Sequence, residues 1–198
     1  MELILVRHSI TQGNLEKRFV GTTDMPLCPQ GEALAREKAP LMPQVEHLYI
    51  SPMLRCRQTA ELLWPDVAKT VIDDLRETDF GPFEGKNHAE LEGDADYQRW
   101  LNGELSVGEP AEDCARRGVR ALEALTADAA ARGLETVGVV SHGGLLMGAL
   151  TLCGQPPRAK FYDWYPPNCG GYRAEVTVKP FGLRVIEDMG RPGLRGEW

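Results

Sequence analysis

No apolar run in this chain approaches the ~18 residues that a membrane-crossing helix needs, which argues against a helical span. The opening stretch MELILVRH has no basic start, no long apolar centre and no small-residue cleavage site, so it does not read as a signal peptide. Positive charge is in deficit: 22 Lys+Arg stand against 29 Asp+Glu, for a net charge of −7. That argues against a general nucleic-acid binder, which needs a basic face, but it allows a small basic pocket. Cysteine pairing signals are absent too. Cys28, Cys56, Cys114, Cys153 and Cys169 are scattered, odd in number and without a CxxC. They read as reduced thiols of a cytoplasmic protein, not as a disulfide framework or a zinc site.

What is present suits one globular domain. The 198 residues, 42% hydrophobic and 26% charged, suffice for a full core, and a single domain over 1–198 is expected. Glu2 to Val6 is a short apolar run and predicts a buried strand. A long loop with Gly13, Gly21, Pro26 and Pro29 follows. Gly31 to Met42 predicts a helix closed by Pro43. Glu46–Ile50 predicts a second strand, Leu54–Trp64 a helix after Ser51-Pro52, and Thr70–Ile72 a third strand. Residues 75–110 are acidic and Gly-rich, with short helical pieces at best. Such a stretch inside a domain suggests a functional cap or lid. Ala111–Arg132 predicts a long helix with Gly133 as its C-terminal stop. TVGVVS, at 136–141, predicts a central strand buried on both faces, and Gly144–Cys153 a helix. Ala174–Val178 and Leu183–Asp188 predict a closing hairpin. The alternation implies a three-layer α/β/α sandwich with a mainly parallel sheet, whose sites form beyond the carboxyl ends of the strands.

Two histidines fall there. His8 follows the first strand and His142 the fourth. Strands ~4.8 Å apart would bring their rings together. Arg7 stands beside His8, and Arg55 lies one turn into the helix after Ser51-Pro52. Helix N-termini attract anions, and an arginine fork suits phosphoryl oxygens.

LVRHSITQGN, SPMLRCRQTA, LRETDFGPFEG, VGEPAED and VVSHGG occur in that order over residues 3 to about 150. The set resembles the ordered signatures of the histidine phosphatase superfamily, the phosphoglycerate-mutase-like family. By that resemblance His8 is the nucleophile that becomes phosphohistidine. Arg7, Arg55 and His142 hold the phosphoryl oxygens, with His142 protonated. Asn14 belongs to the phosphate pocket, Gly143 offers a close backbone approach, and Glu77 protonates the leaving oxygen. A neutral imidazole is a good nucleophile toward phosphorus, and the rest is electrostatic positioning. No cofactor and no metal are implied.

Some residues depart from the family pattern. Ser9 replaces the usual glycine after the nucleophile, and its hydroxyl is a candidate substrate contact. Ile10 replaces an acidic or polar residue. Mutases of the family grip phosphoglycerate with an arginine, a tyrosine and a lysine where this chain has Thr78, Phe80 and His88. Hydrolysis is therefore expected over mutation. The short form resembles α-ribazole-5′-phosphate phosphatases and broad-specificity small-molecule phosphatases. Phe80, Phe83, His88, Tyr97 and Trp100 are candidates for the leaving-group side or for simple cap packing, and Trp164 and Tyr165 are similar candidates. The expected partners are a small phosphomonoester and product phosphate, without nucleic acid or membrane, and a homodimer is compatible with the chain. Phosphomutase, phosphoprotein phosphatase and non-catalytic phosphate-binding module stand as alternatives.

Overall fold

The fold was taken from a computed structural model, described over residues 1–190. The end of the expected 1–198 span, residues 191–198, lies outside the described residues. The chain runs β1 (Glu2–Arg7), α1 (Gln12–Leu15), α2 (Pro29–Lys38), β2 (His47–Ile50), α3 (Leu54–Leu63) and β3 (Lys69–Val71). It continues through α4 (His88–Leu91), α5 (Ala95–Leu101), α6 (Ala111–Ala131), β4 (Thr136–Ser141) and α7 (Gly143–Cys153). It closes with β5 (Gly154–Gln155), β6 (Gly171–Val178) and β7 (Phe181–Met189).

Seven strands form one sheet in the order β3-β2-β4-β1-β6-β7-β5. β1, β2, β3 and β4 run parallel, and β6 joins β1 and β7 antiparallel. This is the mixed, mostly parallel α/β sandwich that the alternation of elements predicted. The apolar runs LILV and VGVV lie in the middle of the sheet because both their faces are covered. Leu3, Leu5, Val137 and Val139 pack with Leu122 and Leu125 of α6 and Leu145, Leu146 and Ala149 of α7. Ile4, Val6, Leu48, Ile50 and Val140 pack with Ala35 of α2 and Cys56, Ala60 and Leu63 of α3. The alternation of β1 side chains between these two clusters is the period-2 pattern of a strand. α6 and α7 approach closely through small residues. A Cβ at Gly148 would lie 2.9 Å from the Ala115 Cβ. Among the described residues, no helix is long and apolar enough to cross a membrane.

The expected helix Gly31–Met42 is shifted. It begins at Pro29, in the first turn where proline fits, and stops at Lys38. Ala39–Leu41 is a 3₁₀ turn and Met42 is extended. Pro40 ends the α-helix, since it offers no N–H to the preceding turn, and Pro43 comes too late to do so. α6 ends as predicted, with Gly133 at φ +70°. The hairpin strands are longer than expected and turn at Lys179-Pro180. Segment 75–110 holds only a 3₁₀ turn at Gly81–Phe83 and the short helices α4 and α5. Its core is Phe83, Leu91 and Tyr97, packed with Phe19, Phe80, Trp100 and Val107. This cluster is separate from the two that cover the sheet.

Candidate active site

The register of the central strands builds the site. Arg7 pairs with Ser141 across β1 and β4, so His8 and His142 are the next residues on adjacent parallel strands. The His8 N–H continues the ladder to the Ser141 carbonyl at 2.9 Å. The two rings meet with centroids 5.2 Å apart, edge to face. On the other flank of β4, Ser51 N donates to the Val140 carbonyl, which brings the end of β2 beside His142.

His8 is buried, and its Nδ1–H donates to the Ser9 carbonyl at 2.6 Å. A carbonyl only accepts, so Nδ1 carries the proton and the lone pair lies on Nε2. Burial, then Arg7, then Arg55, hold the His8 pKa well below the ordinary imidazole value. The group is therefore a neutral imidazole at neutral pH.

His142 caps α7 and is fully buried. Arg55 Nε donates to its Nδ1 at 3.2 Å, and the Nε2–H donates to Ser51 Oγ at 2.7 Å. Burial first, then Arg55, His8 and Arg7, push its pKa well below 6.5. The expectation of a protonated His142 is therefore corrected. A buried ring that already accepts from an arginine has no site for a second proton, so the positive charge here belongs to the two arginines.

Their donors are distributed differently. Arg55 Nη1 donates to the Thr23 carbonyl at 2.8 Å, and Nη2 to those of Gly21 and Val20 at 2.9 and 3.3 Å. Arg55 thus ties loop 20–23 to His142 with most of its five N–H groups. Arg7 Nη1 donates to the Tyr165 hydroxyl at 2.6 Å and the Pro166 carbonyl at 3.1 Å. Its Nε is buried without a partner. A buried unpartnered guanidinium donor is costly in water-free surroundings, and an anionic oxygen satisfies it. Gly143 lies against the same group: a Cβ there would come 3.3 Å from Arg7 Nε.

Glu77 caps α7 from outside the helix. Its Oε2 accepts the Gly144 N–H at 2.9 Å, and Oε1 accepts those of Leu145 and Thr78 at 2.9 and 3.0 Å. Two of the orphan donors of the first turn are met this way. Gly144 is needed for the approach, since a Cβ there would sit 2.6 Å from Oε1. Asn14 Oδ1 accepts from the Thr11 amide and hydroxyl at 3.0 and 3.1 Å and from Asn168 Nδ2 at 3.4 Å. Its own amide N–H groups are left for an acceptor.

A neutral imidazole with its lone pair on Nε2, two guanidinium groups and a helix N-terminus form a setting for transfer of an anionic group. The profile of the histidine phosphatase superfamily (branch 1) matches residues 3–188. The chain belongs to the histidine phosphatase superfamily. It is an enzyme that acts on phosphoesters. It is 33% identical over 174 residues to a probable phosphoglycerate mutase GpmB of Klebsiella pneumoniae, covering 81% of this chain and 78% of that protein. Its fold superposes on the α-ribazole phosphatase of Shigella flexneri with a TM-score of 0.81 at 22% identity, over all of both chains. It also superposes on phosphoserine phosphatase of Entamoeba histolytica in complex with 3-phosphoglyceric acid. There the TM-score is 0.78 at 25% identity, over 96% of this chain and 98% of the other.

In this histidine phosphatase, Arg7, His8, Arg55, His142 and Gly143 converge as expected, and Glu77 joins them through α7. Ser9 does not join them as a ligand. Its hydroxyl donates to the Gly31 carbonyl at 2.7 Å and its N–H to Thr59 Oγ1 at 2.9 Å, with the residue fully buried. Both groups anchor β1 to α2 and α3. His88 lies in the cap cluster, bonded through Nδ1 to the Tyr97 hydroxyl and against the Phe19 ring. No contact joins it to the histidine pair.

Other residues of the site were not singled out from sequence. Asn168 Nδ2 donates to the His8 carbonyl at 2.9 Å. Ser51 holds His142. Glu84 accepts from the amides of Gly21 and Thr22, both at 2.9 Å, and from the Thr23 hydroxyl at 2.8 Å. It holds the loop that Arg55 holds from the other side. Polar residues in loops carry no periodicity. Asn168 lies beyond the motifs that carry the resemblance, and Glu84 lies inside one of them, LRETDFGPFEG, without an assigned task. Among the described residues, no group of three or more His, Cys, Asp or Glu is placed to hold a metal ion.

Proposed function

We propose that this protein hydrolyses a small phosphomonoester in two steps through a phosphohistidine at His8. In the first, the Nε2 lone pair attacks phosphorus and the bond from phosphorus to the ester oxygen breaks. Glu77, entering as a carboxylic acid, gives its proton to the departing alkoxide. In the second, the Glu77 carboxylate takes a proton from water, the oxygen attacks phosphorus, the P–N bond breaks and phosphate leaves. His8 returns neutral, and Glu77 returns protonated. Oε1 accepts two backbone N–H groups and Oε2 one, so Oε2 is assigned the mobile proton. Arg7 Nε, the side-chain amide of Asn14 and the N–H of Gly143, the first residue of α7, are assigned the phosphoryl oxygens. Arg55 is assigned the placement of His142 and loop 20–23 as well as charge.

The observation that carries this reading is the His8 imidazole, buried and neutral, with Nδ1 tied to the Ser9 carbonyl and Nε2 left as nucleophile. We further take residues 75–110 as a cap over the leaving-group side of one domain. The cytoplasm is proposed as the compartment, supported by five cysteines that are all free thiols. α-Ribazole phosphate and phosphoserine are the first natural substrates to try, following the names of the structural relatives.

The test is phosphate release from p-nitrophenyl phosphate and from those esters, in EDTA, with His8→Ala as control. Turnover that survives EDTA and vanishes in the variant supports the reading. Turnover that persists in His8→Ala overturns it. The similarity to probable phosphoglycerate mutases favours a second reading, isomerisation of a phosphoglycerate without phosphate release. Thr78, Phe80 and His88 lack the cationic grip that reading needs, and the product from 3-phosphoglycerate decides between the two.

A further inference from the structure

The VGEPAED stretch has no part in the chemistry described above, yet Glu109 within it completes the most fully bonded side chain near Glu77. Arg117, on the second turn of α6, is 5% exposed. Its Nε and Nη2 donate to the two oxygens of Glu109 at 2.8 and 2.6 Å, a two-pronged pair. Nη1 donates to the carbonyls of Asp74 and Arg76 at 2.7 and 2.9 Å, and Nη2 reaches that of Glu77 at 3.4 Å. Nη2 also lies 3.5 Å from Cys114 Sγ. Each of the five guanidinium N–H groups therefore has an oxygen. The Glu109 N–H donates to the Asp79 carbonyl at 2.9 Å. The backbone on both sides of Glu77 is thus pinned, at residues 74, 76 and 77 by Arg117 and at 79 by Glu109.

This matters because nothing else regular holds the segment. After the 3₁₀ turn at Asp73–Leu75 the chain is irregular up to Gly81. We propose that the Glu109–Arg117 pair is a positioning device for Glu77, fixing its carboxyl against the first turn of α7 where a leaving oxygen must receive its proton. Neither residue touches the reacting atoms. The inference rests on the proposed proton-donor role of Glu77.

A pair that served stability alone would, when weakened, lower turnover of every substrate alike. A pair that places a proton donor lowers it most where the leaving group needs the proton. The experiment compares wild type, Arg117→Lys and Glu109→Gln on p-nitrophenyl phosphate and on an alkyl phosphomonoester, with kcat and KM separated. Lysine keeps the charge but not the fork. General acid catalysis contributes about 10²–10⁴-fold, so Arg117→Lys should lower kcat/KM, which reports phosphoryl transfer to His8 and not the hydrolysis step common to both esters, by ~30-fold for the alkyl ester and by less than ~3-fold for the aryl ester. Amide hydrogen exchange supplies the second readout. Gly144 and Leu145, whose N–H groups Glu77 accepts, should lose protection while Val139 and Val140 of β4 keep theirs. Equal losses of kcat/KM on both esters with unchanged exchange at Gly144 and Leu145 would overturn the proposal. Should Arg117→Lys not fold, Glu109→Gln carries both readouts. A wild type that hydrolyses no phosphomonoester would overturn the phosphatase reading, and the exchange measurement would still decide the positioning.

Discussion

His8 and His142 stand at the ends of adjacent strands of a hydrogen-bonded ladder, whereas Glu77 stands on a segment with neither strand nor α-helix around it. In the first region backbone bonds do the positioning, shared along two buried strands, and no side-chain substitution removes them. In the second the same task falls to side chains: the Arg117 guanidinium, the Glu109 carboxylate and Glu77's own bonds to α7. The proposed nucleophile and the proposed acid are thus held with different robustness. The nucleophile needs one fixed orientation. In the proposed mechanism the acid gains and loses a proton in each cycle, and it lies where single residues can retune it.

The largest effect expected is that of His8→Ala, which should lower turnover by at least ~10⁴-fold without loss of the fold, as seen when a nucleophile is removed. A folded variant with a smaller loss in a phosphate-release assay would separate the strand-held region from the chemistry. Glu77→Gln should follow. It keeps one carbonyl acceptor for Leu145 and Thr78, turns an NH2 donor toward the Gly144 N–H and has no acidic proton to give, so kcat/KM for alkyl esters should fall by about 10²–10⁴-fold and for aryl esters much less. A uniform loss of kcat/KM across leaving groups would remove the acid from the second region. Acidity should then weaken the first region more than the second. His8 and His142, and His47 near the other end of the sheet, have pKa values held below 6.5, in each case chiefly by burial. The unfolded chain binds protons near 6.5 and the folded chain only at lower pH. Stability should therefore be fullest above ~6.5 and fall as the pH drops toward the folded-state values. Urea midpoints measured across this range should decline on the acid side, and His8→Asn should flatten the profile; an unchanged profile would mean that burial of this pair is not the cause. The smallest effect expected is that of Asn168→Ala. It removes the bond to the His8 carbonyl, worth about 1 kcal/mol of stability, and leaves turnover within ~10-fold because the ladder still holds the ring. A larger loss would show that β1 needs this support.

Much of the first region was legible in the chain itself. An apolar run followed by Arg7-His8, and a second followed by His142, suffice to place two rings at the carboxyl end of neighbouring strands. Glu77 was legible only through resemblance, since nothing local distinguishes it from other acids of an acidic loop. Arg117, Glu109, Glu84 and Asn168 work by reaching across tens of residues to backbone groups, and such bonds leave no periodic trace. Ser9 illustrates the same limit from the other side. Its place beside the nucleophile suggested a ligand contact, but its hydroxyl belongs to the Gly31 carbonyl on α2. The charge of His142 depends on burial and on Arg55, neither of which spacing reveals. The early end of α2 was different: Pro40 was in plain view, and its effect on the helix was legible.

Leu5 of β1 pairs with Val139 on one side and Tyr172 on the other. The strand that leads into His8 is therefore completed only by partners far along the chain. Long loops must close before those pairings reward them, which slows folding of such topologies. The imidazole pair has no existence in any fragment that ends before β4, and β1 lacks its second neighbour until β6 is in place. During refolding, recovery of phosphate release should consequently track the last phase of sheet assembly and lag behind the appearance of helical signal. In this protein, enzymatic activity serves as a clock for the completion of the sheet.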